Sequence, residues 1–193
     1  MGRPVEFERE KVLEKAMHAF WDCGYGDTGV SQLSKVTRLK PGSLYGAFES
    51  KEALFLEALE SYGKASVKQV KAALAGGRSP LGAIRTYFMD LAAEAAGPYS
   101  KRSCLLVNTV LELARKEPKI QAHVNRQFEA IEEVLREALV RAKKAGELQA
   151  DADPAALAAY LITSIWGLRV LGGTAPEPGR AKAVARQILA ALT

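Results

Sequence analysis

The sequence predicts an all-α protein of about nine helices, a small three-helix head followed by a larger helical body. Two very short helical patterns lie within Thr28 to Lys51, joined by Arg38-Leu39-Lys40-Pro41-Gly42. Beyond them, apolar residues recur at the i, i+3, i+4, i+7 spacing of amphipathic helices, punctuated by glycine and proline. A third feature is the stretch from Ala155 to Gly173, apolar nearly all round and therefore buried on more than one side.

The first helix is expected over Glu8 to Cys23, where Leu13, Ala16, Met17, Phe20 and Trp21 form one stripe, and Gly24 and Gly26 stop it. Neither short helix that follows can bury a core alone. Val30 and Leu33 share one face of the first, Leu44 and Phe48 one face of the second, and both faces need the Glu8–Cys23 stripe. The arrangement suits a helix-turn-helix, whose second helix enters the DNA major groove while the first lies across the phosphates, the motif spanning about residues 29–48.

Lys40-Pro41-Gly42-Ser43 has the make-up of a helix entrance aimed at phosphate, because first-turn amides lack intrahelical partners and carry the positive end of the dipole. Ser43 and Tyr45 offer hydroxyls to phosphate or base edges. Thr28 is expected to cap the first short helix and touch the backbone, and Lys51 to open the next helix. Ser31, Gln32, Arg38 and Lys40 complete the candidate DNA face. Four cations, Lys35, Arg38, Lys40 and Lys51, stand against Glu49 alone in this stretch, whereas Met1 to Asp27 is net acidic.

These residues resemble the TetR (tetracycline-repressor-like) family of transcriptional regulators. The resemblance rests on Phe20, Gly24, Tyr25, Thr28, Val30 and Leu33, on Gly42-Ser43-Leu44-Tyr45 with Phe48, and on Lys51-Glu52-Ala53-Leu54. Leu44-Tyr45-x-x-Phe48-x-x-Lys51 is its most specific part. Arg38 stands where the family usually has glycine in the turn, and Thr37 where alanine is common. The resemblance implies a DNA-binding domain over residues 6–66 and a ligand-binding, dimerising body over 67–193. It also implies a homodimer on a palindromic double-stranded operator, repression as the default, and release by an unknown small molecule.

In the body, Lys51 to Lys71 continues as one helix with Leu54, Phe55, Ala58, Leu59 and Tyr62 inward, and Gly76-Gly77-Arg78-Ser79-Pro80 breaks it. Leu81 to Ala96 follows, ending at Gly97-Pro98. Ser103 is the expected N-cap of a helix from Cys104 to Lys116, and Pro118 starts the next. That helix keeps Ile120, Val124, Phe128, Ile131, Leu135, Ala138 and Ala142 on one stripe up to Gly146. Asp153-Pro154 is a strong start for the apolar helix, and Arg180 to Leu192 is its companion. Two such helices per subunit suit a four-helix dimer contact, with Leu161, Ile162, Ile165, Trp166, Val170, Val184 and Ile188 as its expected residues.

Candidate pocket residues are Phe88, Met89, Tyr99, Cys104, Asn108, Phe128, Trp166 and Arg169, aromatic or polar side chains within apolar helices. Cys104, at a helix start beside Lys101 and Arg102, is in a setting that favours thiolate, so an electrophile- or oxidant-sensing thiol is an alternative trigger. Cys23 is expected to pack on the first helix, and His18 and His123 to be surface or packing residues.

At 193 residues and 48% hydrophobic content the chain holds a substantial core. The net charge of +5 and pI near 9.2 permit an acidic partner. No apolar run of membrane-spanning length and no secretory segment are read, so a cytoplasmic protein with no membrane partner is expected. Neither cysteine has zinc spacing, no cofactor is expected, and no P-loop, nucleophile elbow or Glu-x-x-His pair marks an enzyme. An enzyme, or a helical adaptor that binds protein, would leave Lys40, Ser43, Tyr45 and Lys51 unexplained.

Overall fold

The computed structural model describes residues 3–192 except 78, 98–99, 114–115 and 178, with backbone alone for 3–8 and 101. Among the described residues there are nine α-helices and no strand: α1 Arg3–Asp27, α2 Val30–Thr37, α3 Pro41–Phe48, α4 Lys51–Ala75, α5 Pro80–Ala95, α6 Leu105–Leu113, α7 Pro118–Lys144, α8 Pro154–Gly173 and α9 Arg180–Ala190. A 3-10 turn, Ser100–Arg102, precedes α6. Gly24 interrupts α1 with φ 82° and ψ 168°, a conformation open essentially to glycine alone.

The head packs α1, α2, α3 and the start of α4 around Ala16, Phe20, Leu33, Leu44, Phe48, Leu54 and Phe55, all buried. Phe20 meets Phe55 edge to face with ring centroids 4.9 Å apart. Ser50 caps α4, its hydroxyl accepting from the Ala53 N–H at 3.0 Å. That helix runs unbroken through residues 66 and 67, so the expected domain boundary falls inside it.

The body is a bundle in which α7 lies against α4 and α8, and α5 lies against α4, α8 and α9. The stripe read on α7 is its buried face: Ile120, Val124, Leu135, Ala138 and Ala142 are all 1% exposed or less. Asp153 caps α8, accepting from the Ala155 N–H at 2.9 Å, with Pro154 at the first helical position. By length and composition α8 could cross a membrane, which corrects the expectation that no run reaches that length. In this fold it packs instead on α5, α7 and α9, burying Ala158, Leu161, Ile162, Ile165, Leu168 and Gly172.

The expected N-cap Ser103 is not one. Its φ of 54° is left-handed, α6 begins two residues later, and its hydroxyl donates to the Arg169 carbonyl at 2.9 Å. A longer-range bond has displaced a local one.

Candidate DNA-reading face and body cavity

Leu44 and Phe48 anchor α3 on the head core. Its opposite side is left open as Pro41, Gly42, Ser43, Gly46 and Ala47, all exposed. A Cβ added at Gly42 or Gly46 would meet nothing within 4 Å, so packing does not require glycine at either. The N-terminus of α3 is capped by Lys40, without a side-chain hydrogen bond, and Pro41 stands at N1. Its first-turn amides therefore point outward beside an exposed lysine, an anion-receptive geometry. Arg38 takes the turn with φ 63° and ψ 24°, the left-handed conformation that glycine holds in the family. The side chain that replaces hydrogen there is an exposed cation.

Ser31 is exposed, while Gln32 is half-buried and donates to Cys23 Sγ at 3.1 Å. Tyr45 and Lys51 are half-buried, and Lys51 Nζ stands 4.4 Å from the Tyr25 ring centroid, a cation–π contact that orients it. Burial raises the Tyr25 phenol above its ordinary range, and Glu52, Glu117 and Tyr45 push the same way.

Three expectations in the head are corrected. Thr28 neither caps α2 nor faces outward: it is fully buried, its hydroxyl donates to the Gly24 carbonyl at 2.5 Å, and the N-cap is Gly29. Val30, expected beside Leu33 in the packed face, is exposed, and so is Cys23.

A small, partly open cavity of about 50 Å³ lies in the body between α4, α5, α7 and α8. Cys104, Phe128, Trp166 and Arg169 line it, as expected, together with Tyr62, Ser66, Gln69 and Tyr87, which the sequence did not single out. For the three on α4 the signal lay in the helical repeat, since Ser66 and Gln69 follow Tyr62 at i+4 and i+7 on one face. Tyr62 donates to Cys104 Sγ at 3.5 Å, and Phe128 tilts against Trp166 with centroids 4.5 Å apart. Trp166 Nε1 is buried without a hydrogen-bond partner among the described residues.

Burial holds the Tyr62 hydroxyl far above its ordinary range, reinforced by the Cys104 sulfur, and pushes Tyr87 up to about 12. Burial alone would lower the Arg169 guanidinium. Glu94, with Tyr62 and Cys104, outweighs it and raises the pKa, so Arg169 stays charged.

The other pocket candidates sit elsewhere. Phe88 is fully buried core, Met89 packs on the small alanine cluster between α5 and α9, and Asn108 donates to the Arg102 carbonyl at 3.1 Å. Tyr99 lies outside the described residues, as does the side chain of Lys101. Arg102 does not serve Cys104: it turns to the head and pairs with Asp22 at 2.5 and 2.7 Å. Cys104 itself precedes α6.

The expected dimer residues divide in the same way. Leu161, Ile162, Ile165 and Ile188 are buried inside the subunit, and Trp166 belongs to the cavity. Val170 and Val184 are exposed on the open side of α8 and α9, where Tyr160 is exposed as well.

Two of the ties between head and body run through α1. The Arg102 carbonyl accepts from Trp21 Nε1 at 3.0 Å, beside the Arg102–Asp22 pair. Glu112 on α6 accepts from the Tyr25 N–H at 3.0 Å and the Gly26 N–H at 2.6 Å. A Cβ at Gly24 would lie 2.8 Å from the movable end of the Glu112 side chain, so it is the φ of 82° that calls for glycine at the end of α1.

Comparison with known proteins agrees with both halves. Residues 12–58 match the model of bacterial regulatory proteins of the tetR family, and residues 80–188 match a tetracyclin repressor-like C-terminal domain. The uncharacterized HTH-type transcriptional regulator YezE of Bacillus subtilis is 32% identical over 162 residues, covering 83% of this chain and 84% of YezE. The HTH-type transcriptional repressor ComR of Escherichia coli is 28% identical over 170 residues, 88% and 81% of the two chains. Among solved structures, a cysteine mutant of the TetR-family transcriptional regulator CifR, complexed with 26-bp double-strand operator DNA, superposes with a TM-score of 0.85. It is 28% identical, and the match covers 96% of this chain and 97% of CifR. With an exposed, glycine-smoothed α3 on a helix-turn-helix head and family matches on both the head and the body, the chain belongs to the TetR family and is a DNA-binding transcriptional regulator.

Proposed function

We propose that this regulator is a homodimeric repressor that reads a palindromic operator with α3 and is released when a small molecule occupies the body cavity. The observation that carries the reading is the open face of α3, where Gly42, Ser43 and Gly46 leave the helix backbone free to approach a groove closely. Ser43 and Tyr45 are assigned to base edges. Ser31, Gln32, Arg38, Lys40 and Lys51 are assigned to the phosphates, and the Pro41 and Gly42 turn presents its amides to them. Residues 6–66 form the reading unit and 67–193 the body. Two copies meet through the open side of α8 and α9, which spaces the heads by roughly one helical turn of DNA, 34–36 Å. Such a protein works where the DNA is, in the cytoplasm.

Gel retardation of the DNA upstream of the protein's own gene tests this. Lys51→Ala is expected to weaken binding to all sequences and flatten the slope of log K against log salt by about 0.9, the share of one phosphate contact. An unaltered slope removes Lys51 from the interface, and a protein that retards no DNA overturns the reading.

A second trigger is favoured by one observation, the Cys104 thiol lining the cavity beside the Tyr62 hydroxyl. If an adduct on Cys104 releases the operator, a thiol-selective electrophile acts on Cys23→Ser protein and fails on the Cys23→Ser, Cys104→Ser double variant. The Cys23→Ser background is needed because the exposed Cys23 is the more accessible of the two.

A further inference from the structure

Arg169 borders two spaces at once. Outward it faces a groove of about 650 Å³ shared with Trp21, Gly97, Arg102 and Ser103. Inward it lines the small cavity with Tyr62, Tyr87, Cys104 and Trp166. Among the described residues its guanidinium is held by an ion pair, Nη1 to Glu94 Oε2 at 2.8 Å. The Glu94 side chain is 49% exposed and the Arg169 side chain 27%. The carboxylate is therefore the partner that can turn to water, while the guanidinium stays behind. Arginine keeps its charge at any working pH, so an anion is the partner that restores the lost ion pair when Glu94 leaves.

Two polar side chains of the cavity, Arg169 and Trp166, can only donate, and Tyr62 already spends its hydroxyl hydrogen. Arg169 has further N–H groups, Trp166 offers a buried N–H without a partner among the described residues, and Tyr62 gives its hydroxyl to a thiol, a weak acceptor. Beside Ser66, Gln69 and Tyr87, the rest of the wall is largely hydrocarbon, with Val70, Ile131, Ile162 and Ile165 among its members. A fitting ligand brings acceptors and one negative charge on a small apolar remainder. One guanidinium balances one charge. Arg102, the other arginine of the groove, is already paired with Asp22, so a doubly charged phosphate would enter with charge to spare.

We propose that the effector is a small monocarboxylate that displaces Glu94 from Arg169. It takes the arginine fork with both oxygens, and its short hydrocarbon part lies on the aliphatic wall. The proposal rests on the reading that the body cavity is the effector site. Arg169 is also the residue whose carbonyl holds Ser103, next to the turn in which Arg102 grips Trp21 and Asp22 of the head. A ligand on its guanidinium thus acts on the element that ties body to head.

The test is calorimetric titration of the full chain with propionate and butyrate against propionamide at constant ionic strength, with operator release followed separately. Carboxylates are expected to bind and the amide not. Arg169→Gln should weaken carboxylate binding by roughly thirtyfold or more, the loss expected when one partner of a buried charge pair is removed. Glu94→Gln, which removes a half-exposed competitor, should tighten it, and this variant keeps the test decisive if Arg169→Gln fails to fold. Propionamide binding as well as propionate, or Glu94→Gln binding propionate more weakly, overturns the proposal. Carboxylate binding that leaves the operator bound upholds this site and discards ligand release. Release by a neutral compound with no carboxylate binding does the reverse.

Discussion

His123 shows how a residue read as unremarkable becomes a stability determinant once it is placed. It is buried on α7, with Nε2 3.2 Å from Glu60 Oε2 but not aligned as a hydrogen bond, and Nδ1 3.2 Å from Arg126 Nη2. Burial lowers its pKa below the ordinary value, Glu60 opposes that, and Arg126 adds to it. Above about pH 6.5 the ring is neutral folded or unfolded, and its contribution is fully present. As pH falls below that value the unfolded chain takes up a proton that the folded one resists, so stability is lost toward acid. Chemical denaturation at pH 7.5 and pH 5.5, or about those values, should show wild type losing more than His123→Gln. An equal loss would mean that His123 ionises as freely inside the fold as outside. At the same scale, Gly24 is explained by its φ of 82° and the amides of Tyr25 and Gly26 by their bonds to Glu112, where the sequence offered both glycines only as helix stops.

Among the elements, α3 has two faces with different duties. Leu44 and Phe48 hold it, and Gly42 and Gly46 cost helix stability without any packing reason. Gly46→Ala should therefore stabilise the head by roughly 0.5–1 kcal/mol, because alanine is the better helix former and its methyl meets open space. The same methyl stands on the reading face and should weaken operator binding. Thermal unfolding and gel retardation on one protein sample separate the effects. A variant both more stable and equally tight on DNA would turn that face of α3 away from the groove.

For the whole molecule the decisive element is α8, which is apolar nearly all round and yet only partly covered by its own subunit. Ile165 is core, so Ile165→Asp should bury an unpaired carboxylate and unfold the subunit rather than divide a dimer. Val170 and Val184 are 45% and 38% exposed, so the Val170→Asp, Val184→Asp double variant should remain helical by circular dichroism and sediment as a monomer. A folded, undivided dimer of the double variant would place the contact elsewhere.

The helices, their order and the reading motif were legible in the sequence. Periodicity, proline and glycine stops and the Leu44-Tyr45-x-x-Phe48-x-x-Lys51 run are local, and local spacing decides which side of a helix is apolar. Spacing does not say which neighbour meets that side. Thr28 looked like a cap until the end of α1 took its hydroxyl, and Ser103 looked like one until the Arg169 carbonyl, 66 residues on, accepted from it. Arg102 read as a partner for Cys104 and serves Asp22 instead. The cavity joins Tyr62, Tyr87, Cys104 and Arg169 from separate segments, and the open and closed sides of α8 were set by α5, α7 and α9. These partnerships depend on distances across the fold, so only the tertiary structure could decide them.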